Sequence, residues 1–264
     1  MNRKLQLFLT ICVSLLVTTL VLSCTKDDGS KSIKLNTPTV SLLAGSKSQI
    51  VISPNVDGCT FESRNPTIAS VSSTGEISGN MVGETSISIT NSQKKFNAAC
   101  NVTVSPQYHM YREPCLNFTA SIADVKSYEE RKLITESTTS LGYQGENSNI
   151  AIVLYAFDNK ILKSASVLIP CTSSNTTLLA NFIKERYLIT ADDNTVYFLN
   201  DDRTVGGGIS VYTYENVSYY LVLYFAYSSD SESKAYNKFP VDISVQYNEY
   251  VKNQLLEINK MRYN

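Results

Sequence analysis

The side chains able to do chemistry are few and scattered. The chain of 264 residues has six cysteines, no tryptophan and one histidine, His109. A hydrolase triad or a zinc site needs an imidazole beside carboxylates or further ligands, and His109 has no acidic residue at such a spacing. "ADDN" (191–194) and "NDDR" (200–203) set acidic pairs at two loop edges. Calcium would want about six to eight oxygens there; neither stretch has a calcium-loop pattern, and Asp-Asn runs are ordinary turns. Gly206-Gly207-Gly208 lacks the Lys-Ser/Thr of a phosphate-binding loop and is expected as a flexible turn or bulge before a strand. Paired carboxylates of glycosidase type need no local motif, and none stands in the sequence. No catalytic residue, metal ligand or cofactor is therefore assigned. A net charge of -1 argues against a nucleic-acid partner, which requires a basic face.

Tyrosine is the abundant reactive-tipped residue, with 17 copies. In "ISVYTYENVSYYLVLYFAYS" (209–228), Tyr212 and Tyr214 share parity on one strand, and Tyr220 and Tyr224 on the next. A three-residue loop of Glu215, Asn216 and Val217 pairs Tyr212 with Tyr220 and gathers all four rings on one face. Such a platform stacks on sugars or on a protein partner. Two readings compete with it: a two-residue turn splits the four rings, or a helix of the same domain covers the face.

These groups must be held by folded elements, and the chain changes character along its length. Arg3 and Lys4 precede an uncharged apolar stretch from Leu7 to Leu22, long for a signal peptide and short for a membrane span. Val21-Leu22-Ser23-Cys24 resembles a bacterial lipobox, with Val21 and Ser23 as tolerated variants. The resemblance implies cleavage before Cys24 and acylation of its sulfur, and hence outer-membrane lipid as a partner. A signal-anchor helix is the rival reading. Lys26-Asp27-Asp28 resembles the surface-export signal of Bacteroidetes lipoproteins; otherwise these charges begin a solvated tether over 24–32.

From 33 to 104 apolar residues alternate: Val40 and Leu42, Ile50 and Ile52, Ile87 and Ile89, Val102 and Val104. Frequent turn residues between them predict a small β-sandwich. "CTFESRNPTIASVSSTGEISGNMVGETSISIT" followed by "AACNVTV" resembles the bacterial immunoglobulin-like group-two family of intimin- and invasin-type adhesins. Phe61, Ser63, Asn65-Pro66, Ile68-Ala69-x-Val71, Gly75, Gly79 and Gly83-x-Thr85 carry the resemblance, with Phe61 where tryptophan is commoner. It implies an immunoglobulin-like fold in a surface protein, often as a spacer, and names no ligand.

Residues 105–115 are expected as a linker, and 116–264 as an α+β domain with a mainly antiparallel sheet. Ser121 and Asp124 form a capping box before a helix. "KLITESTT", "NIAIVLYAF", "KILKSASVLIP", "TVYFLN", "GISVYTY" and "VSYYLVLYFAYS" read as strands, the second apolar on both parities. Asn175 is expected to cap a helix with a stripe of Leu178, Leu179, Phe182, Ile183 and Tyr187, and a last amphipathic helix follows Tyr247, Val251, Leu255 and Ile258. With Cys12 in the signal peptide and Cys24 acylated, Cys59, Cys100, Cys115 and Cys171 remain. Shared parity favours a Cys59–Cys100 bridge over two reduced core thiols. Cys115–Cys171 is the companion pairing, with Cys100–Cys115 as its rival.

The expected protein is a lipid-anchored, outward-facing module that binds an unknown surface glycan or protein without catalysis. An enzyme or accessory protein of surface glycan handling, and a purely structural envelope component, are the alternatives.

Overall fold

The computed structural model describes residues 33–227, apart from 56, 193, 194 and 215. The expected signal peptide, Cys24, the Lys26-Asp27-Asp28 motif and the expected last helix lie outside the described residues. Among those described, no helix is long and apolar enough to cross a membrane.

Alternation organises the first domain as read. Strands β1 (Lys34–Leu35), β2 (Thr39–Leu43), β3 (Lys47–Gln49), β4 (Ile52–Ser53), β5 (Thr60–Ser63), β6 (Ala69–Val71), β7 (Glu76–Gly79), β8 (Gly83–Asn91) and β9 (Phe96–Ser105) follow in order. Four of them form a sheet in the order β2-β9-β8-β5, three form a second sheet, β3-β7-β6, and β1 pairs with β4. Val40, Leu42, Ile77, Ile87, Ile89, Cys100, Val102 and Val104 project inward between the sheets and form one core. This is the immunoglobulin-like sandwich. Its motif residues have visible tasks. The carbonyl of Asn65 accepts the N–H groups of Ile68 and Ala69, closing the Asn-Pro turn that buries both side chains. Gly75, at φ +80-type torsion (φ 83), sits under the Phe61 ring, where a side chain would be strained and crowded.

The second domain is built on an eight-stranded antiparallel sheet. A meander of β10 (Leu133–Glu136), β11 (Ser140–Gln144), β12 (Ile152–Asp158) and β13 (Ile161–Pro170) makes one half. Helix α1 (Ile122–Tyr128) precedes it, and α2 (Ser173–Lys184) crosses to the far edge. The chain then returns through β14 (Leu188–Asp192), β15 (Thr195–Leu199), β16 (Val205–Tyr214) and β17 (Val217–Ala226), which closes against β13. Strands β11 and β14 had no expectation: "SLGYQ" and "LITAD" are short and break alternation with small residues.

Both helices pack on one face, where Val125, Leu179, Phe182 and Ile183 meet Tyr155, Val167, Val222 and Tyr224. The opposite face carries Ile152, Leu154, Leu168 and Leu221, also buried. Burial on both sides explains why "NIAIVLYAF" is apolar on both parities. Residues 105–115 join the domains, and Met110, Tyr111 and Cys115 are buried in the second core.

The helix caps follow their sequence signals with one change. Ser121 accepts from the Asp124 N–H while the Asp124 carboxylate accepts from Ser121, completing the capping box. Ser121→Ala is expected to cost about 1 kcal/mol in urea unfolding, and Asp124→Ala to destabilise in the same direction. The cap of α2 is Thr172, whose hydroxyl accepts from the Asn175 N–H. Asn175 lies inside the helix and donates its side-chain amide to the Pro170 carbonyl. The cap stands three residues before Asn175, which fits the same role by type.

Candidate functional site

The four-tyrosine platform does not form. Tyr214 stands opposite Val217, which leaves two residues between β16 and β17 instead of three. Asn216 takes φ 65, the left-handed torsion such a tight hairpin turn demands. The one-residue difference in loop length moves β17 to the other parity. Tyr212 therefore faces Tyr219, and Val211 faces Tyr220.

Tyr220 and Tyr224 lie on the helix-covered face. The Tyr220 hydroxyl is 2.7 Å from that of Thr176 on α2. Tyr224 is fully buried, with its hydroxyl 2.6 Å from that of Tyr111 and its ring against Tyr187 and Phe198. Burial drives the ionisation of Tyr224 and Tyr111 far above the usual tyrosine range, so both act as neutral packing groups. Tyr212, Tyr214 and Tyr219 share the other face, half-buried against Leu168 and Leu221. Val217, paired with Tyr214 at the hairpin tip, is exposed on that face, and Val211, on the opposite parity beside Tyr220, is 63% exposed.

The cysteines are likewise placed apart, and all four thiols are free. Cys100 pairs with Ile87, and Cys59 precedes Thr60, which pairs with Thr90. The two thus lie four residues apart along the strands and on either side of β8. That is roughly 16 Å between backbones at standard strand spacings, where a disulfide spans about 4.4–6.8 Å. Both side chains face one core, as their shared parity predicts, but the register holds them too far apart for the bridge. Cys115 donates its N–H to the Tyr155 hydroxyl opposite Ala165, while Cys171 stands about 20 Å of strand farther along. Cys100 and Cys115 occupy the cores of different domains. Burial pushes the Cys100, Cys115 and Cys171 thiols up, away from thiolate chemistry.

Of the two acidic stretches, part of 191–194 lies outside the described residues, and the acidic pair of 200–203 is held by protein partners. Asp202 accepts from the Thr204 N–H and hydroxyl, and Asn200 from the N–H groups of Thr204 and Val205. Asp201 accepts from the Asn65 amide of the first domain. No group of three or more His, Cys, Asp or Glu side chains suited to a metal occurs among the described residues. His109 is exposed.

Gly206-Gly207-Gly208 lies inside β16 and is neither a turn nor a bulge. Phe198 pairs with Gly207, and Tyr224 pairs with it from the other side. The two rings meet across the glycine at 5.2 Å. Adjacent aromatic positions on the flanking strands were the available signal, legible only once the register was known.

One polar cluster escaped the sequence reading entirely. "SYEERKL" looks like a solvated charge run. Yet the side chains of Glu129 and Arg131 are 0% and 3% exposed and bonded at 2.6 Å. Arg131 also pairs with Glu146 at 2.8 Å, and Tyr155 donates to Glu129. The second oxygen of Glu129 and the Tyr143 hydroxyl are buried without a partner. Burial works against the Arg131 charge, but Glu146 and Glu129 outweigh it and keep the guanidinium protonated. Arg131 and Tyr155 hold Glu129 in place as an ion-pair partner.

Among the described residues, an open concavity lies on the first domain. Arg64, Asn65, Glu84, Thr85, Ser86 and Asn101 line a polar cleft of about 450 Å³. It offers a cation, a carboxylate, amides and hydroxyls side by side, the mixed donors and acceptors that match sugar hydroxyls or peptide groups.

The model of the bacterial Ig-like domain (group 2) family matches residues 31–102. That segment is an immunoglobulin-like module of this family, as its motif residues had implied, and the match stops before the second domain. No curated protein matches the chain. Three solved structures illustrate the similarities. An intimin mutant of EHEC O157:H7 is 14% identical, with 50% of this chain and 90% of that chain covered, at a TM-score of 0.25. The S-layer protein rSbsC(31-844) is 13% identical, with 73% and 21% covered, at 0.24. Human protocadherin-24 EC1-2 is 11% identical, with 74% and 96% covered, at 0.24. An immunoglobulin-like module of the matched family fits a surface-binding protein.

Proposed function

We propose that the protein is a lipid-anchored, non-catalytic binding or adhesion module of the outer cell surface. The family match over residues 31–102 carries this reading. Cys24 is its proposed attachment point to outer-membrane lipid, and Lys26, Asp27 and Asp28 its export signal. Several acyl chains at ~0.8 kcal/mol per buried methylene give durable anchoring. The ligand is a surface glycan or protein, and the polar cleft beside Arg64 and Glu84 is the contact site the geometry supports best.

Anchoring is tested by palmitate labelling and membrane partition. The wild-type chain takes up label and sediments with membranes, and Cys24→Ala loses both. Retention of both by the variant refutes acylation at this residue. Binding is tested on a glycan and matrix-protein array probed with residues 33–264. Arg64→Ala with Glu84→Ala lowers the signal on the ligand found by about tenfold, the effect of losing one charged hydrogen-bond pair. An unchanged signal moves the site away from the cleft.

A further inference from the structure

We infer that the C-terminal turn of α2 is a clamp that locks the two domains into one rigid unit, with Glu185 as its central residue. Both carboxylate oxygens of Glu185 are engaged by the interdomain chain, accepting the N–H groups of Gln107 at 2.9 Å and Tyr108 at 3.0 Å. Its main-chain carbonyl accepts the N–H of Val82, in the first domain, at 2.7 Å. One buried residue thus grips the connecting chain with its side chain and the immunoglobulin-like module with its backbone.

Arg186 completes the grip. Its guanidinium pairs with Glu185, donates to the carbonyls of Tyr108 (3.1 Å) and Phe182 (3.0 Å), and stacks on the Phe182 ring at 3.8 Å. The pair is nearly enclosed, so its bonds are poorly screened and charge-assisted. The free length of chain is minimal. Ser105 ends β9 and Gln107 is already clamped, which leaves Pro106 alone between them, its φ fixed by the ring. A further contact, Asn65 to Asp201, stands apart from the other two. Connections at Val82, at Gln107–Tyr108 and at Asn65 constrain both bending and twisting between the domains. Their rigidity is independent of what the protein binds or how it is anchored.

The test uses the full chain with spin labels on non-canonical residues at Asn97 and Thr139, one exposed site in each domain. The wild type gives a single narrow label-to-label distance, and the Gln107 and Tyr108 amides exchange slowly with solvent. Glu185→Ala broadens the distance distribution and loses that protection, while Leu154 and Val167 stay protected. If those core amides also open, Glu185→Gln, which keeps the shape and removes the charge, makes the same comparison. A broad distribution in the wild type overturns the clamp. So does a variant that stays narrow with both amides protected.

Discussion

Arg131→Ala lowers stability in urea unfolding by about 3–5 kcal/mol, because it strands the Glu129 carboxylate in a dry interior. The size of the loss reflects an uncompensated charge rather than the worth of the ion pair. Arg131→Met combined with Glu129→Met removes both charges and recovers most of the loss, leaving less than about 2 kcal/mol. A single-variant loss below about 1 kcal/mol would show that water reaches the cluster. The same cluster sets a pH dependence. Desolvation raises the Glu146 carboxyl, but its hydrogen bonds to Arg131 and the Arg112 N–H outweigh this and hold it below its ordinary value of 4.5. A depressed folded-state value means the stabilisation is complete above about pH 4.5 and declines as pH falls below it. Arg131→Ala flattens that acid limb, which acid titration followed by tyrosine fluorescence measures.

Gly207→Ala is the second severe change, destabilising by about 3 kcal/mol or more. A Cβ there falls within the Phe198 ring and against the Leu223 carbonyl oxygen, under the 3.0 Å that real carbons keep. Neither neighbour can yield: the ring is wedged between Tyr187 and Tyr224, and the carbonyl belongs to a central strand. Gly206→Ala is the control. Its Cβ meets the Phe225 ring at 3.1 Å and the Tyr227 ring at an ordinary 3.5 Å, contacts that small ring movements relieve, and it costs under about 1 kcal/mol. Equal losses for the two variants would mean that strand entropy rather than the aromatic contact governs both positions.

How far the sequence carried these conclusions differs between the domains. In the first, Phe61, Asn65-Pro66, Ile68-Ala69 and Gly75 lie close together and act on one another through local turns, so the module was legible outright. In the second, α1 was legible through Ser121 and Asp124, and β12 through its two apolar parities. Asn175 illustrates a local ambiguity, since Thr172 and Asn175 both fit a helix start by type. The polar cleft was not legible, because Arg64, Glu84 and Asn101 come from separate strands and turns. Nor was the clamp, whose partners lie 77 and 78 residues apart in Gln107, Tyr108 and Glu185.

Alternation is a property of neighbours, and by itself it determined a small β-sandwich over 33–104 with its inward faces; the motif residues around Asn65-Pro66 and Gly75 made that sandwich immunoglobulin-like. Tertiary structure decided which residues meet across those strands. A period of two tells which side chains share a face on one strand, but a single residue in the β16–β17 turn inverts the next strand entirely. That one residue separated Tyr212 and Tyr214 from Tyr220 and Tyr224. Register likewise kept Cys59 from Cys100 and laid Phe198 over Gly207. Burial of Glu129 and Arg131 in "SYEERKL" depended on β11 and β12 supplying Tyr143 and Tyr155 around them, contacts that no local pattern encodes.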